Sequence, residues 1–295
     1  MSVYIRQNST EQTYTKNTWC ILNPIEQSIK EKIERIGTPL KDWNVNIYRG
    51  VLTGLNEAFI IDGAKKDELI AQDPKSAEII RPILRGRDIK RYSYDFADKW
   101  LIATFPSKHY NIDDYPAVKE YLLAFDKRVL EQSGQKNIDG IDGKNARKKT
   151  CNKWFETQDS IAYWDDFSKQ KIIYSEIVQK PQFYLDNGEF YVEATSFLLT
   201  GKNLEYLISC LNSKPVTYFF KTFYAGGGLG EKGYRYKKAF LINLPIPKIK
   251  NIKYDNTFFK EAISTSKTVI LDKIIYEIYG LTSEEIEHIE HSINM

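Results

Sequence analysis

The chain has 295 residues, and its 42 Lys and Arg residues against 39 Asp and Glu residues give a formal net charge of +3. Hydrophobic residues make up 42% of the chain and charged residues 27%, which excludes a disordered or fibrous protein. The length allows one large domain or two of ordinary size. Because the net charge is so small, only its distribution along the sequence can indicate a polyanionic partner.

Cysteine usage and hydropathy bear on the compartment. The three cysteines, Cys20, Cys151 and Cys210, are far apart and odd in number, so they predict neither a disulfide framework nor a CxxC metal site. No apolar run approaches the ~18 residues of a membrane helix, and the start at Met1 lacks the apolar core of a signal peptide. A cytoplasmic location is therefore expected.

The N-terminal part of the chain is predicted to alternate short helices and strands. Isoleucines at helical spacing predict an amphipathic helix over residues 25–36. Residues 44–62 contain two β-like runs with turn residues around Gly54 between them, which predicts a hairpin or a pair of bulged strands. Ser76 is placed to cap a short helix that Pro82 would end.

The middle of the chain is predicted to be richer in strands. Residues 98–105 read as a strand, and Pro116 opens an amphipathic helix. Residues 134–150, rich in Gly, Asn, Asp and Lys, predict a mobile exposed loop. Two strands are predicted within residues 171–186, and the Asn-Gly pair at 187–188 predicts a hairpin into the following strand.

Helices return towards the C-terminus. Residues 204–212 and 257–279 have helical periodicity, with Gly280 as a cap of the second run. Between them, residues 240–247 are expected to close the β-rich part. A last acidic helix is predicted to start at Thr282.

These elements predict a mixed α/β (α+β) fold, with an irregular curved sheet or partial β-barrel, flanking helices and a C-terminal helical segment. We divide the chain into an N-terminal helical linker (1–43), a central body (44–254) and a C-terminal helical segment (255–295). The body holds 33 basic and 26 acidic side chains, and the C-terminal segment holds three and eight. The net charge of +3 therefore averages a basic body and an acidic tail.

Basic residues in the body fall into clusters, mostly with Tyr or Trp between them. Lys and Arg neutralise phosphates, and Arg can also pair with a guanine edge, so these clusters favour nucleic-acid binding over an ordinary solvated surface. An ion pair with Asp88 is the alternative for the first cluster. The candidate DNA-contacting residues are Arg85, Arg87, Lys90 and Arg91, then Lys144, Arg147, Lys148 and Lys149, then Arg235, Lys237 and Lys238.

Catalytic motifs are weak or absent. The string nearest to an amino-methyltransferase loop, residues 23–26, lacks the second Pro and the aromatic residue. A GxGxxG string at 228–233 is followed by basic and aromatic residues rather than a helix start, which indicates a flexible loop. The acid-x-Lys strings at 73–75 and 142–144 are not on predicted strands, as a divalent-metal nuclease would require. We therefore predict no catalytic residue, metal site or cofactor site in this chain.

Several ordered strings identify a family resemblance. They are YRGVLTGLNEAF at 48–59, RPILRGRDI at 81–89, LNSK at 211–214, LPIP at 244–247 and IYGLT at 278–282. In these strings the chain resembles the TaqI-like C-terminal specificity (target recognition) domain of type IIG restriction-modification enzymes and related adenine-specific DNA methyltransferases. The resemblance extends over about residues 20–292.

The resemblance implies that residues 44–254 are a DNA target recognition domain, which binds duplex DNA and directs adenine methylation and cleavage by domains absent from this chain. Methyltransferase and possible nuclease domains are then its partners, and S-adenosylmethionine and Mg²⁺ belong to them. One alternative is a subunit-docking specificity protein of a type I restriction system, although the chain has one body and no long heptad run. Another is a small nuclease with Asp73 or Asp142 as a metal ligand.

Overall fold

A computed structural model of the protein describes residues 22–140, 144–224, 233–248, 254–265 and 267–294. The chain forms two compact units, which we call the sheet unit and the helical unit. The sheet unit consists of Asn46–Glu176 and Gln182–Thr200. The helical unit consists of the described residues within Met1–Val45, Ile177–Pro181 and Gly201–Met295. Residues 201–224 and 233–248, which the sequence placed in the central body, thus fold with the described terminal segments.

The elements are numbered in chain order. The strands are β1 (Gly37–Pro39), β2 (Asn46–Arg49), β3 (Ile60–Asp62), β4 (Ile80–Leu84), β5 (Ile89–Lys90), β6 (Ser93–Tyr94), β7 (Lys99–Ile102), β8 (Lys171–Ser175), β9 (Ile177–Val178), β10 (Phe183–Asp186), β11 (Tyr191–Val192), β12 (Ser196–Thr200), β13 (Tyr234–Arg235) and β14 (Pro245–Pro247). The α-helices are α1 (Pro24–Ile36), α2 (Asn56–Phe59), α3 (Gly63–Gln72), α4 (Pro116–Leu123), α5 (Lys127–Leu130), α6 (Leu204–Leu211), α7 (Lys214–Phe219), α8 (Lys238–Leu241), α9 (Asn256–Ser264), α10 (Thr268–Tyr279) and α11 (Ser283–Asn294).

Two open sheets organise the sheet unit. The first has the strand order β10-β8-β12-β2, and its neighbours are all antiparallel. The second has the order β11-β4-β7-β3, in which β11 runs parallel to β4 and the other pairs are antiparallel. All five residues of β8 are buried, and this strand has a hydrogen-bonded neighbour on each side.

The core of the sheet unit has two parts. Residues of both sheets meet in one cluster, which includes Leu101, Ile173, Val192 and Leu198. A second cluster packs helix α4 against β4 and β7 through Val118, Leu122, Ile80 and Ile102. Burial of each such side chain contributes about 1.5–3 kcal/mol to the stability of the folded protein, so these clusters stabilise the sheet unit.

Helix ends and ion pairs organise the helical unit. Helix α1 begins with a capping box, in which the side chains of Asn23 and Glu26 each accept from the backbone N–H of the other residue. Glu285 of α11 accepts from Ser28 Oγ at 2.6 Å and from Lys32 Nζ at 2.8 Å, both on α1. Part of the acidic C-terminal segment is thus neutralised by basic residues of the same unit.

The predicted fold class is confirmed as mixed helices and strands with C-terminal helices, although the sheets are open rather than a partial barrel. The helix over 25–36 is α1, and the helix that Pro116 opens is α4. Gly280 ends α10 with a φ of 63°, as expected of a glycine cap. Within the described residues, no helix has the length and apolarity needed to cross a membrane.

Two predicted hairpins are wrong. Within residues 44–62, β2 pairs with β12 and β3 pairs with β7, while helix α2 lies between β2 and β3. The turn after β10 does form, and Gly188 has a φ of 96°. The chain after it pairs elsewhere, since β11 joins β4 in the other sheet. Local turn chemistry therefore predicted the turns but not the strand partners.

The segment from Ser76 to Pro82 also differs from the prediction. Asp73 caps a single 3₁₀ turn, Pro74–Glu78, and strand β4 follows it directly. Pro82 lies inside β4 and pairs with Trp100, while the neighbouring strand β11 pairs only beyond Pro82. The lack of an N–H at this position is therefore tolerated.

Two further predictions near the C-terminus are corrected. The run over 257–279 is two helices, α9 and α10, rather than one. The strand within 240–247 is β14, which pairs with β1 in the helical unit instead of closing the sheet unit.

Candidate nucleic-acid interface

A polar cleft of about 520 Å³ opens in the sheet unit where β4 ends. It contains basic groups, carboxylates and small hydroxyl side chains, so it offers both hydrogen-bond donors and acceptors. The residues that line it are Asn56, Glu57, Ile60, Arg85, Gly86, Arg87, Lys99, Ser175, Glu193 and Thr195.

The turn after β4 forms one wall of the cleft and depends on glycine. Residues Gly86–Asp88 form a 3₁₀ turn that follows Arg85. A Cβ at Gly86 would lie 2.7 Å from Ser175 Oγ and 3.3 Å from Thr195 Oγ1. A side chain at residue 86 would therefore require Ser175 Oγ to shift, so glycine lets this turn approach the ends of β8 and β12 without that adjustment.

Arg85 forms an ion pair inside this turn. Its Nε and Nη2 donate to the two carboxylate oxygens of Asp88 at 2.8 Å each, and its backbone N–H donates to Oδ2 at 2.9 Å. Burial by itself raises the pKa of Asp88, but the hydrogen bonds and charge of Arg85 outweigh it, so this pKa lies below its ordinary value. The Asp88 pair, which was the alternative for this cluster, is present, and a DNA contact by Arg85 stays a prediction.

Arg87 is exposed and differs from Arg85. Within the described residues, no hydrogen bond or ion pair holds its guanidinium, while its carbonyl accepts from Lys90 Nζ at 2.7 Å. Lys90 Nζ also lies 3.5 Å from Asp95 Oδ2, and the guanidinium carbon of Arg91 lies 5.3 Å from the ring centroid of Tyr92. Of the first basic cluster, Arg87 has the side chain most available to a ligand in the cleft.

The cleft also holds a fixed carboxylate, Glu193, that sequence reasoning missed. The buried Thr53 Oγ1 donates to Asn56 Oδ1 at 2.6 Å, which orients the Asn56 amide. Asn56 Nδ2 then donates to Glu193 Oε1 at 2.7 Å, although the two residues are 137 positions apart. The string around Asn56 signalled a turn, but nothing in the sequence pointed to its partner.

Lys144 brings the second basic cluster to the edge of this cleft. Its Nζ lies 3.4 Å from Oε2 of Glu57, which lines the cleft. Lys148 and Lys149, farther along the same segment, are exposed. The structure thus places Lys144, of the second cluster, at the edge of the cleft that Arg85 and Arg87 line.

Arg147, also predicted to contact DNA, is buried, with 3% of its surface exposed. Its guanidinium donates to four backbone carbonyls, and burial lowers its pKa to about 10. This burial is at odds with the predicted DNA contact. A mobile loop was expected over 134–150, but hydrogen bonds hold two of its described residues, since Arg147 N–H donates to Glu131 O and Gly134 N–H donates to Arg147 O.

The third basic cluster belongs to the helical unit. Arg235 pairs with Ile177 in the two-stranded β13–β9 ribbon, and Lys237 and Lys238 are exposed at the start of α8. Residues 225–232, which include most of the GxGxxG string at 228–233, lie outside the described residues.

The alternative of a small nuclease gains no support. Asp73 accepts from the backbone N–H of Lys75 at 3.2 Å and from Ser76 Oγ at 3.1 Å, so its carboxylate caps a turn. Asp142 lies outside the described residues. In the part of the chain that the structure describes, no three His, Cys, Asp or Glu side chains are grouped to hold a metal ion.

Comparison with known proteins gives the class to which this fold and cleft belong. The model of the TaqI-like C-terminal specificity domain family matches residues 81–246, more than half of the chain. The chain belongs to this family, which confirms the resemblance seen in its sequence.

A curated relative narrows the comparison. The chain is 27% identical over 285 residues to "Type II methyltransferase M.BstVI" of Geobacillus stearothermophilus. The match covers 93% of this chain and 46% of the relative, so the chain spans less than half the length of that protein.

Two solved structures have a similar fold. The type IIG restriction endonuclease BpuSI superposes with a TM-score of 0.56 and 12% identity, over 92% of this chain and 32% of that chain. The type IIL restriction-modification enzyme MmeI, solved in complex with DNA, gives a TM-score of 0.50 and 13% identity, over 87% of this chain and 36% of that chain. At these identities the likeness concerns the fold. These matches do not favour the alternative of a type I specificity subunit.

Proposed function

We propose that this chain binds duplex DNA and reads a short base sequence, as the target recognition region of a type II restriction-modification enzyme. The observation that carries the proposal is the cleft at the end of β4, where the exposed guanidinium of Arg87 faces a space that carboxylates also line. Base edges present both donors and acceptors, so a surface that reads them needs groups of both kinds.

The lysines beside the cleft supply the other half of DNA binding. Lys144, Lys148 and Lys149 are exposed on one segment, and Lys144 reaches Glu57 on the edge of the cleft. Ammonium groups bind phosphates without regard to sequence and fix the register of a protein on the duplex. We assign backbone contacts to these lysines and base contacts to the cleft.

We further propose that the chemistry takes place on polypeptide outside these 295 residues. The length of the type II methyltransferase relative supports this, because the chain covers 46% of it. Adenine methylation would use S-adenosylmethionine and DNA cleavage would use Mg²⁺, both bound by those other parts. This chain would then select the site at which they act.

Selection of bound duplexes from a random pool tests the proposal. The chain should enrich one short sequence, and its affinity for that sequence should fall linearly with salt on logarithmic axes, by about 0.9 per phosphate neutralised. Repeating the selection with a separately supplied methyltransferase domain tests whether the partner sharpens the choice. Equal, salt-insensitive affinity for all duplexes would overturn the proposal.

Arg87→Ala is the matched variant for the cleft. It should lower the affinity for the selected duplex by more than the ~1 kcal/mol typical of a surface change. Lys169→Ala is a suitable control, since Lys169 is an exposed basic residue of the same unit. Its ammonium group forms an ion pair with Asp166 at 2.9 Å. Unchanged affinity of the Arg87→Ala variant would show that the cleft does not contact DNA.

A further inference from the structure

The carboxylate of Glu193 is held in the cleft by both its backbone and its side chain. The Glu193 N–H donates to Leu84 O at 3.0 Å, and its carbonyl accepts from Ser196 N–H at 2.8 Å. Its Oε1 accepts from Asn56 at 2.7 Å, and Thr53 fixes that amide in turn. Within the described residues, no donor is hydrogen-bonded to the other oxygen, Oε2. One oxygen thus positions the group and leaves the second for a ligand.

The charges around this oxygen disfavour a phosphate as its ligand. Glu57 and Glu193 both line the cleft, and Arg85, also on its wall, is already paired with Asp88. Arg87 and Lys99 also line the cleft, but a phosphate at Oε2 of Glu193 would directly meet a carboxylate, which can only accept hydrogen bonds. A neutral base edge with a donor group suits the cleft better.

An ionised carboxylate only accepts hydrogen bonds, which selects among the four bases. In the major groove, guanine and thymine present the acceptors O6 and O4, cytosine presents the N4 amino donor, and adenine presents its N6 amino group beside the acceptor N7. Two carboxylate oxygens facing adenine would be repelled by N7. Cytosine is therefore the base that a fixed carboxylate reads best.

We propose that Glu193 is a specificity-determining residue, which accepts a hydrogen bond from the 4-amino group of a cytosine in the recognised duplex. Asn56 and Thr53 are positioning residues that hold its carboxylate. Arg87, on the same cleft, is placed to donate to the guanine paired with that cytosine. This inference rests on the proposed function, since it concerns how the same cleft discriminates among sequences.

Duplex selection with matched variants of the 295-residue chain tests the inference. The chain itself should require a cytosine at one position of its site. Glu193→Gln should lose that preference by about 5- to 150-fold, which corresponds to 1–3 kcal/mol, and should shift it towards adenine, which an amide reads through N6 and N7. The remaining positions should stay unchanged.

Two further variants separate position from charge. Glu120→Gln removes an exposed carboxylate of the same unit that does not line the cleft, and its selected sequence should match that of the parent chain. Asn56→Ala leaves Glu193 charged but unsupported, so discrimination at the cytosine position should weaken without a shift to adenine. An identical change in the Glu120→Gln variant would overturn the assignment to Glu193.

A modified duplex tests the contact without any variant. Replacing the selected cytosine by N4-methylcytosine removes the amino hydrogen on the major-groove side, and the unmodified chain should lose a similar factor in affinity. Unchanged selection by Glu193→Gln, or unchanged affinity for the N4-methylated duplex, would overturn this inference and leave the proposed function standing. If the parent chain enriched no sequence at all, the proposed function itself would fail, and this inference with it.

Discussion

The guanidinium of Arg147 donates to the backbone carbonyl of Thr53 at 2.9 Å. Thr53 in turn orients Asn56, which holds Glu193 at the cleft. A buried arginine of a basic segment therefore supports the wall of the cleft from behind. Gly54 permits this approach, because a Cβ there would lie 2.8 Å from Arg147 Cδ, and its φ is +79°.

Arg147→Ala is expected to destabilise the protein by about 3–5 kcal/mol, since it leaves several buried carbonyls without donors. Urea denaturation of the variant gives the free energy of unfolding. Lys148→Ala, next in sequence but exposed, should change it by no more than about 0.5 kcal/mol. If Arg147→Ala kept full stability but lost affinity for DNA, Arg147 would be a direct DNA contact.

Arg85→Ala is expected to cost about 3 kcal/mol of stability, because it leaves the carboxylate of Asp88, with 6% of its side chain exposed, without its cation. The double variant Arg85→Ala/Asp88→Ala should cost less than Arg85→Ala alone. Chemical denaturation of the three variants measures the coupling between the two side chains. Additive losses would mean that the pair does not stabilise the turn.

The pH dependence of stability follows from the same pair. The pKa of Asp88 is lower in the folded protein than its ordinary value. The stabilisation that its ionised carboxylate contributes is therefore fully present above the pKa of about 3.9 in the unfolded chain. This contribution is lost as the pH falls below that value through the folded pKa. Asp88→Asn should therefore show a weaker loss of stability between about pH 5 and pH 2 than the parent chain, measured by urea denaturation at each pH.

Local signals in the sequence predicted local structure well. The helix over 25–36 and the glycine cap at residue 280 depend on neighbouring residues, and both are found. The partners of β2 and β3 depend on distant residues, as does the contact of Asn56 with Glu193. A single sequence contains no signal for such pairs, which is why half of the cleft was missed.

The same reasoning explains why the burial of Arg147 was not predicted from the sequence. In the sequence, Arg147 stands beside Lys148 and Lys149, and a run of basic residues normally indicates a solvated or phosphate-binding surface. Its burial requires acceptors from Leu130, Thr53 and Glu156, which only the fold brings together. Charge patterning therefore grouped the buried Arg147 with the exposed Lys148 and Lys149 and could not tell them apart.

Gly86→Ala should destabilise the turn by about 1–3 kcal/mol, because the added methyl group would lie 2.7 Å from Ser175 Oγ. Adding Ser175→Gly removes the opposing Oγ and Cβ and should restore part of the loss. Denaturation of the single and double variants measures this rescue. Without any rescue, the strain would lie in the backbone of the turn instead of the contact with Ser175.

Lys144→Ala, Lys148→Ala and Lys149→Ala should each weaken DNA binding about equally for all sequences. Each phosphate contact removed should lower the slope of log affinity against log salt by about one, whereas the selected sequence should not change. Fluorescence anisotropy with the selected duplex and a scrambled duplex, at several salt concentrations, measures both quantities. Lys169→Ala, which removes the same charge from an exposed side chain paired with Asp166, should leave the slope unaltered. A variant that changed the preferred sequence would show that its lysine contacts a base edge rather than a phosphate.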